Sequence, residues 1–119
     1  MENFRKMLIA GISILVFSFL AVNASAQGTA TLIPQTKQIL LDETQPFADS
    51  YELNISAANL PTIEAAKIYF AKYINSGFMD FSFDLRKEKA YIVLTQGLVA
   101  DKILTPAEWN NVLTVVNNQ

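Results

Sequence analysis

PTIEAAKIYFAKYINSGFMDFSFDL, residues Pro61 to Leu85, is the stretch whose reading decides the fold. Ile63, Ala66, Phe70, Tyr73 and Ile74 recur at offsets of three and four, which puts them on one stripe of an amphipathic helix. Asn75-Ser76-Gly77 closes that helix, because glycine takes the left-handed conformation that helix ends favour. Met79, Phe81, Phe83 and Leu85 then alternate with Asp80, Ser82 and Asp84, the pattern of a strand with one apolar face.

Downstream, Arg86-Lys87-Glu88 is a charged turn leading to a second strand, Lys89 to Thr95. Ala90, Ile92 and Leu94 fall on one side of it and Tyr91, Val93 and Thr95 on the other, so the two strands are expected to form a hairpin. Gln96 to Ile103 reads as a connection. Thr105-Pro106-Ala107-Glu108 is a capping box with proline at the first helical position, and Leu104 stands where a hydrophobic staple would meet Trp109. Trp109, Val112, Leu113 and Val116 give this last helix its apolar stripe, with Asn110, Asn111, Thr114 and Asn117 on the wet side.

Upstream, Tyr51, Leu53, Ile55 and Ala57 alternate with Glu52, Asn54 and Ser56, predicting a half-buried strand over Tyr51 to Ala57. Asn59 is the expected helix cap before Pro61. Thr29 to Ile33 is β-prone until Pro34, and Lys37 to Leu41 is apolar but too short to assign, so one strand is expected within residues 29–41. Asp42, Glu43, Pro46 and Asp49 mark an exposed connector.

Strand, helix, hairpin, helix predicts an α+β domain: an antiparallel sheet of three to four strands with two helices on one face. The return strand of the hairpin would lie between its neighbours in split β-α-β, ferredoxin-like order, with a segment from 29–41 at the free edge beside Tyr51–Ala57. The chain then divides into a cleaved leader (1–26), an N-terminal strand and connector (27–50) and a β-α-β-β-α domain (51–119). This element order is similar to that of small heavy-metal-binding domains, whose metal loop carries two cysteines between the first strand and helix. The same position here reads Ala57-Ala58-Asn59-Leu60-Pro61, so soft-metal binding is not implied.

Arg5 and Lys6 precede an almost wholly apolar run, Met7 to Val22, and Ala24-Ser25-Ala26 supplies a small-x-small cleavage signature. That run of 16 residues reaches about 24 Å as a helix, short of the roughly 30 Å hydrocarbon core, so a cleaved leader is expected rather than an anchor. Cleavage after Ala26 would leave 93 of the 119 residues and a periplasmic or secreted product. Without Glu2, Arg5 and Lys6, the nine basic and eleven acidic residues leave a net charge near −3. Such a balance argues against nucleic acid, which demands a basic face, and against anionic membrane once the leader is gone. With no cysteine, the domain must hold by packing alone.

The chain has no histidine and no cysteine, which removes imidazole acid–base chemistry, thiolate nucleophiles and ordinary zinc sites, and its four glycines form no phosphate loop. No catalytic residue, cofactor or metal ligand is therefore expected. Carboxylates remain: Asp42, Glu43 and Asp49 as a cation cluster without EF-hand spacing, and Asp80 and Asp84, four residues or about 13 Å apart on one strand, too far for a glycosidase pair. The second sheet face is the candidate interaction surface. Tyr91 and Val93 would lie at its centre, with Asn54 and Ser56 to one side and Asp80 and Ser82 to the other. The functional expectation is a small exported, non-enzymatic interaction module using that face or a strand edge, its partner a protein or a second copy. A carboxylate-based cation-dependent factor or enzyme, or an accessory subunit of an envelope assembly, is the alternative.

Overall fold

The computed structural model describes residues 27–96 and 102–119; residues 1–26, expected from the sequence to be a leader, and the middle of the Gln96–Ile103 connection lie outside the described residues. The strands are β1 (Gln27–Ile33), β2 (Gln38–Leu41), β3 (Ser50–Asn54), β4 (Met79–Asp84) and β5 (Lys89–Leu94). The helices are α1 (Ile63–Tyr69), α2 (Ala71–Ile74) and α3 (Pro106–Asn117), with a single 3-10 turn at Ser56–Ala58.

The five strands form one sheet in the order β2-β1-β3-β5-β4. It is α+β as the element order implies, but mixed, because β1 runs parallel to β3 while every other neighbouring pair is antiparallel. The expected antiparallel sheet of three to four strands and the ferredoxin-like order are corrected accordingly. The cause is local. Both apolar segments of residues 29–41 become strands, joined by a tight turn in which Thr36 N–H donates to Ile33 O (3.3 Å) and Lys37 takes a left-handed φ of 63°. Residues 42–49 then carry the chain back past the start of β1, so β3 sets off in the same direction as β1. The close approach needs glycine at position 28: a Cβ there would lie 2.5 Å from the Tyr51 ring and 3.0 Å from Ala48. The buried Tyr51 hydroxyl keeps a partner, accepting from Ala48 N–H (3.0 Å).

β3 ends at Asn54 rather than Ala57. The Asn54 side chain offers its own alternative to the ladder, with Oδ1 accepting from Ser56 N–H (2.9 Å) and Oγ (2.7 Å), and the chain coils into the 3-10 turn. Asn59, left-handed at φ 53°, closes that turn, and the cap of α1 is Thr62, whose hydroxyl accepts from Ala65 N–H (3.0 Å). The expected single helix is two, bent at Phe70 (φ −100°, ψ 18°), whose carbonyl accepts from both Tyr73 and Ile74 N–H (3.0 Å each). The bend sets the Phe70 ring against Phe81 and Phe83, with centroids 5.2 and 5.9 Å away. Ile63, expected in the stripe, is 39% exposed at the first helical position.

Helix α3 starts as its sequence dictates. Thr105 Oγ1 accepts from Glu108 N–H (3.2 Å), Glu108 Oε1 accepts from Thr105 N–H (2.9 Å), and Pro106 follows the cap. Trp109, Leu113 and Val116 are buried and Val112 half-buried. Asn110, placed on the wet side by the pattern, is instead 7% exposed. The core is one continuous cluster. Ala30, Ile39, Leu41, Tyr51, Leu53, Ala90, Ile92 and Leu94 of the sheet meet Phe70, Tyr73, Trp109, Leu113 and Val116 of the helices.

Candidate functional site

All three helices lie against one sheet face, and the other holds every residue expected there from the sequence except Ser56. Tyr91 sits between Glu52 of β3 and Ser82 of β4, and the next row places Val93 beside Asp80. Asn54 is opposite Lys89, one row further along, and Ser56 lies off the sheet in the 3-10 turn. Tyr91 is half-buried and Val93 45% exposed, and a Lys89–Glu52 ion pair (2.8 Å) crosses the face. Tyr91 and Val93 among polar neighbours are ordinary for a wetted sheet face.

The carboxylates do not converge. Asp42 is occupied by Thr44, whose hydroxyl (2.6 Å) and then N–H (2.9 Å) hold its carboxyl below the usual value. Glu43 accepts from Asn110 Nδ2 (2.7 Å), and Asp49 is exposed. Asp80 and Asp84 share the wetted side of β4, as the alternation predicts. Among the described residues no three acidic side chains gather where a cation would sit.

The two sheet edges, by contrast, differ sharply. On β2, Asp42 N–H donates to Thr29 O (3.1 Å) while Leu41 faces Ala30, so the even-numbered residues bond to β1 and the backbone groups of Ile39 and Leu41 point outward. Side chains satisfy all of them. Ile39 N–H donates to Tyr73 Oη (3.1 Å), and Gln38 Nε2 donates to Ile39 O (2.9 Å). Asn110 accepts from Leu41 N–H (2.7 Å) and donates to Leu41 O (3.1 Å), acting as a one-residue strand supplied by α3. Tyr73 Oη also donates to Lys37 O (2.7 Å). The edge is sealed.

On β4, Thr95 N–H donates to Phe78 O (2.8 Å) and Met79 faces Leu94. Hydrogen-bonded pairs on this strand are therefore again the even-numbered ones, and the N–H and C=O of Met79, Phe81 and Phe83 point outward. No described residue bonds to them. Beside this bare edge lies a groove of about 440 Å³ between the strand and the α1–α2 pair, lined by Ile68, Ala71, Ile74, Met79, Phe81 and Phe83, with Lys67, Asn75 and Asp80 at its rim. Ile68 stands 76% exposed over it. The helical pattern marks Ile68 as an apolar residue on the wet side, but the edge itself is a product of strand order and bonding parity.

Tyr73 reports on the sealed edge. Burial pushes its hydroxyl up from the usual 10.0 to about 12, against the Ile39 N–H that favours the phenolate and with help from neighbouring Tyr69. Below pH 10 both folded and unfolded chains keep this proton; between pH 10 and 12 the unfolded chain releases it first, so stability falls as pH rises. The urea midpoint should hold level to about pH 10 and then decline, and Tyr73→Phe, though less stable at neutral pH, should decline less steeply over that interval. Equal slopes would contradict a buried, bridging hydroxyl.

No described helix is long and apolar enough to cross a membrane. No protein-family model, curated protein or solved structure matches the chain.

Proposed function

We propose that this chain is a small exported, non-enzymatic binding module that captures an extended polypeptide segment along β4. The unit formed by β3, the two short helices, β4 and β5 has its return strand in the middle, as in a split β-α-β layer, and this order leaves β4 outermost. The carrying observation is the contrast between edges: Tyr73, Gln38 and Asn110 are committed to closing β2, while Met79, Phe81 and Phe83 keep open backbone groups beside an apolar groove. An exposed edge invites pairing and is normally blunted, so one sealed and one open edge fits selective use of the second. An added strand would take its affinity from main-chain bonds and its selectivity from side chains entering the groove. The partner is a protein; the absence of histidine and cysteine, the acidic balance and the apolar leader favour an interaction role outside the cytoplasm over catalysis, nucleic-acid or membrane binding.

Amide hydrogen exchange tests this. In dilute protein the amides of Met79, Phe81 and Phe83 should exchange fast and those of Ile39 and Leu41 slowly. A panel of ten-residue peptides alternating apolar and polar side chains should include members that protect the three β4 amides. Ile68→Asp, at an exposed position, should weaken those members about tenfold, a loss of about 1.4 kcal/mol, with unchanged melting. Protection of β4 in protein dilute enough to be monomeric, or no response to any peptide, would overturn the reading.

A further inference from the structure

Resting on that reading, we propose that the segment β4 receives is β4 of a second copy, giving a closed two-fold dimer with a continuous ten-stranded sheet. The strand is its own complement. Its outward backbone groups belong to Met79, Phe81 and Phe83, so an antiparallel partner must place odd-numbered residues opposite odd-numbered ones. With the axis at Phe81, Phe81 bonds to Phe81 of its copy and Met79 to Phe83. The apolar side chains then meet on the helix face, above which each copy brings Ile68 and Ala71 to the groove. On the wetted face this register sets Asp80 opposite Ser82 of the copy, twice, so that a hydroxyl donates to each carboxylate.

The neighbouring two-fold register, centred on Ser82, sets Asp80 opposite Asp84 twice and is penalised by like charge. A slip by one residue would set the open groups of Met79, Phe81 and Phe83 against even-numbered residues, whose N–H and C=O already bond to β5. A register centred on Phe83 would set Ser82 opposite Asp84 but would pair Phe81 and Met79 with residues 85 and 87, beyond the end of the strand. Only the Phe81-centred register pairs all three open residues with one another. The sealed β2 edge supplies the stoichiometry: edge-to-edge growth from β4 cannot continue through β2, whose outward groups already bond to Tyr73, Gln38 and Asn110, so assembly stops at two copies.

Sedimentation equilibrium on the chain, purified in the form the cell accumulates, should show a concentration-dependent monomer–dimer equilibrium with nothing larger. Ser82→Asp puts Asp80 against a carboxylate at 82 in each half and should weaken the dimer at least tenfold. Asp80→Lys combined with Ser82→Asp should restore it, because an ammonium group then faces the new carboxylate. Both sites are exposed, so monomer melting should stay unchanged in each variant. The Ser82-centred register would oppose the new carboxylates at 82 but would gain an ammonium group opposite Asp84 twice. Asp80→Lys alone therefore separates the two: it should strengthen a Ser82-centred dimer and leave a Phe81-centred one no tighter. Strengthening would overturn the proposed register. A monomer at millimolar concentration, a dimer indifferent to Ser82→Asp, or a double variant no better than the single would each overturn the proposal. If the chain stays monomeric while peptides still protect the β4 amides, the second copy is wrong and strand capture stands; if peptides also fail, both fall.

Discussion

Asn110→Ala should lower stability by about 3 kcal/mol, although asparagine at a helix position between Trp109 and Asn111 reads as surface. Two buried backbone groups, Leu41 N–H and C=O, lose their partner at once, and each orphaned group costs roughly 1–3 kcal/mol. In a domain whose total stability is on the order of 5–15 kcal/mol, that is a large share. The melting temperature should fall by about 15 °C, at roughly 4–8 °C per kcal/mol for this size, while Asn111→Ala on the exposed side should leave it unchanged. Asn110→Asp adds a sign test. It keeps an acceptor for Leu41 N–H but sets a carboxylate against Leu41 O and the Glu43 carboxylate, raising its own proton affinity. That variant should therefore be closer to the natural protein at pH 4 than at pH 7, as denaturant melts at the two values will show. A change under 1 kcal/mol for Asn110→Ala would mean that water replaces the amide and the edge is not sealed.

Asn110 also shows where the sequence stops being readable. The capping box at Thr105–Glu108, the alternation from Met79 to Asp84 and the stripe from Trp109 to Val116 are local, set by neighbours within four residues, and each appears in the structure as its pattern dictates. Asn110 is buried by its bonds to Leu41, 69 residues away, and no helical periodicity encodes such a partner. The parallel pairing of β1 with β3 is equally non-local: it depends on Gly28 letting Tyr51 and Ala48 pass close by. The break at Phe70 has no proline or glycine to announce it, and the ring it carries packs on Phe81 and Phe83 of another element, beyond the reach of helical periodicity. Likewise Tyr91 and Val93 were legible as one face of a strand, whereas the open edge of β4 follows from strand order and from which residues bond their amides to β5. Side-chain alternation carries the first kind of information and not the second.

Phe70→Ala should be more damaging still, because the residue joins the helix break, the core and the groove. It is fully buried, with Tyr69 edge-on at 4.8 Å and Phe81 and Phe83 stacked at 5.2 and 5.9 Å. Truncating a buried phenylalanine costs about 3–5 kcal/mol through lost transfer and the cavity left behind. The upper end applies here, since alanine also removes aromatic pairs worth about 0.5–1.5 kcal/mol each beyond their buried area. A melting temperature lower by about 20 °C or more, or a chain unfolded at about 37 °C, is expected from calorimetry. Phe70→Leu separates packing from stacking: it refills most of the volume and should cost about 1.5 kcal/mol. Yet it leaves Phe81 and Phe83, two walls of the groove, without the ring they stack on. If the groove serves β4 as proposed, Phe70→Leu should weaken strand capture more than its modest loss of stability accounts for. Unaltered peptide protection of the β4 amides in that variant would show that the groove walls do not depend on Phe70 and that the backbone edge alone carries recognition.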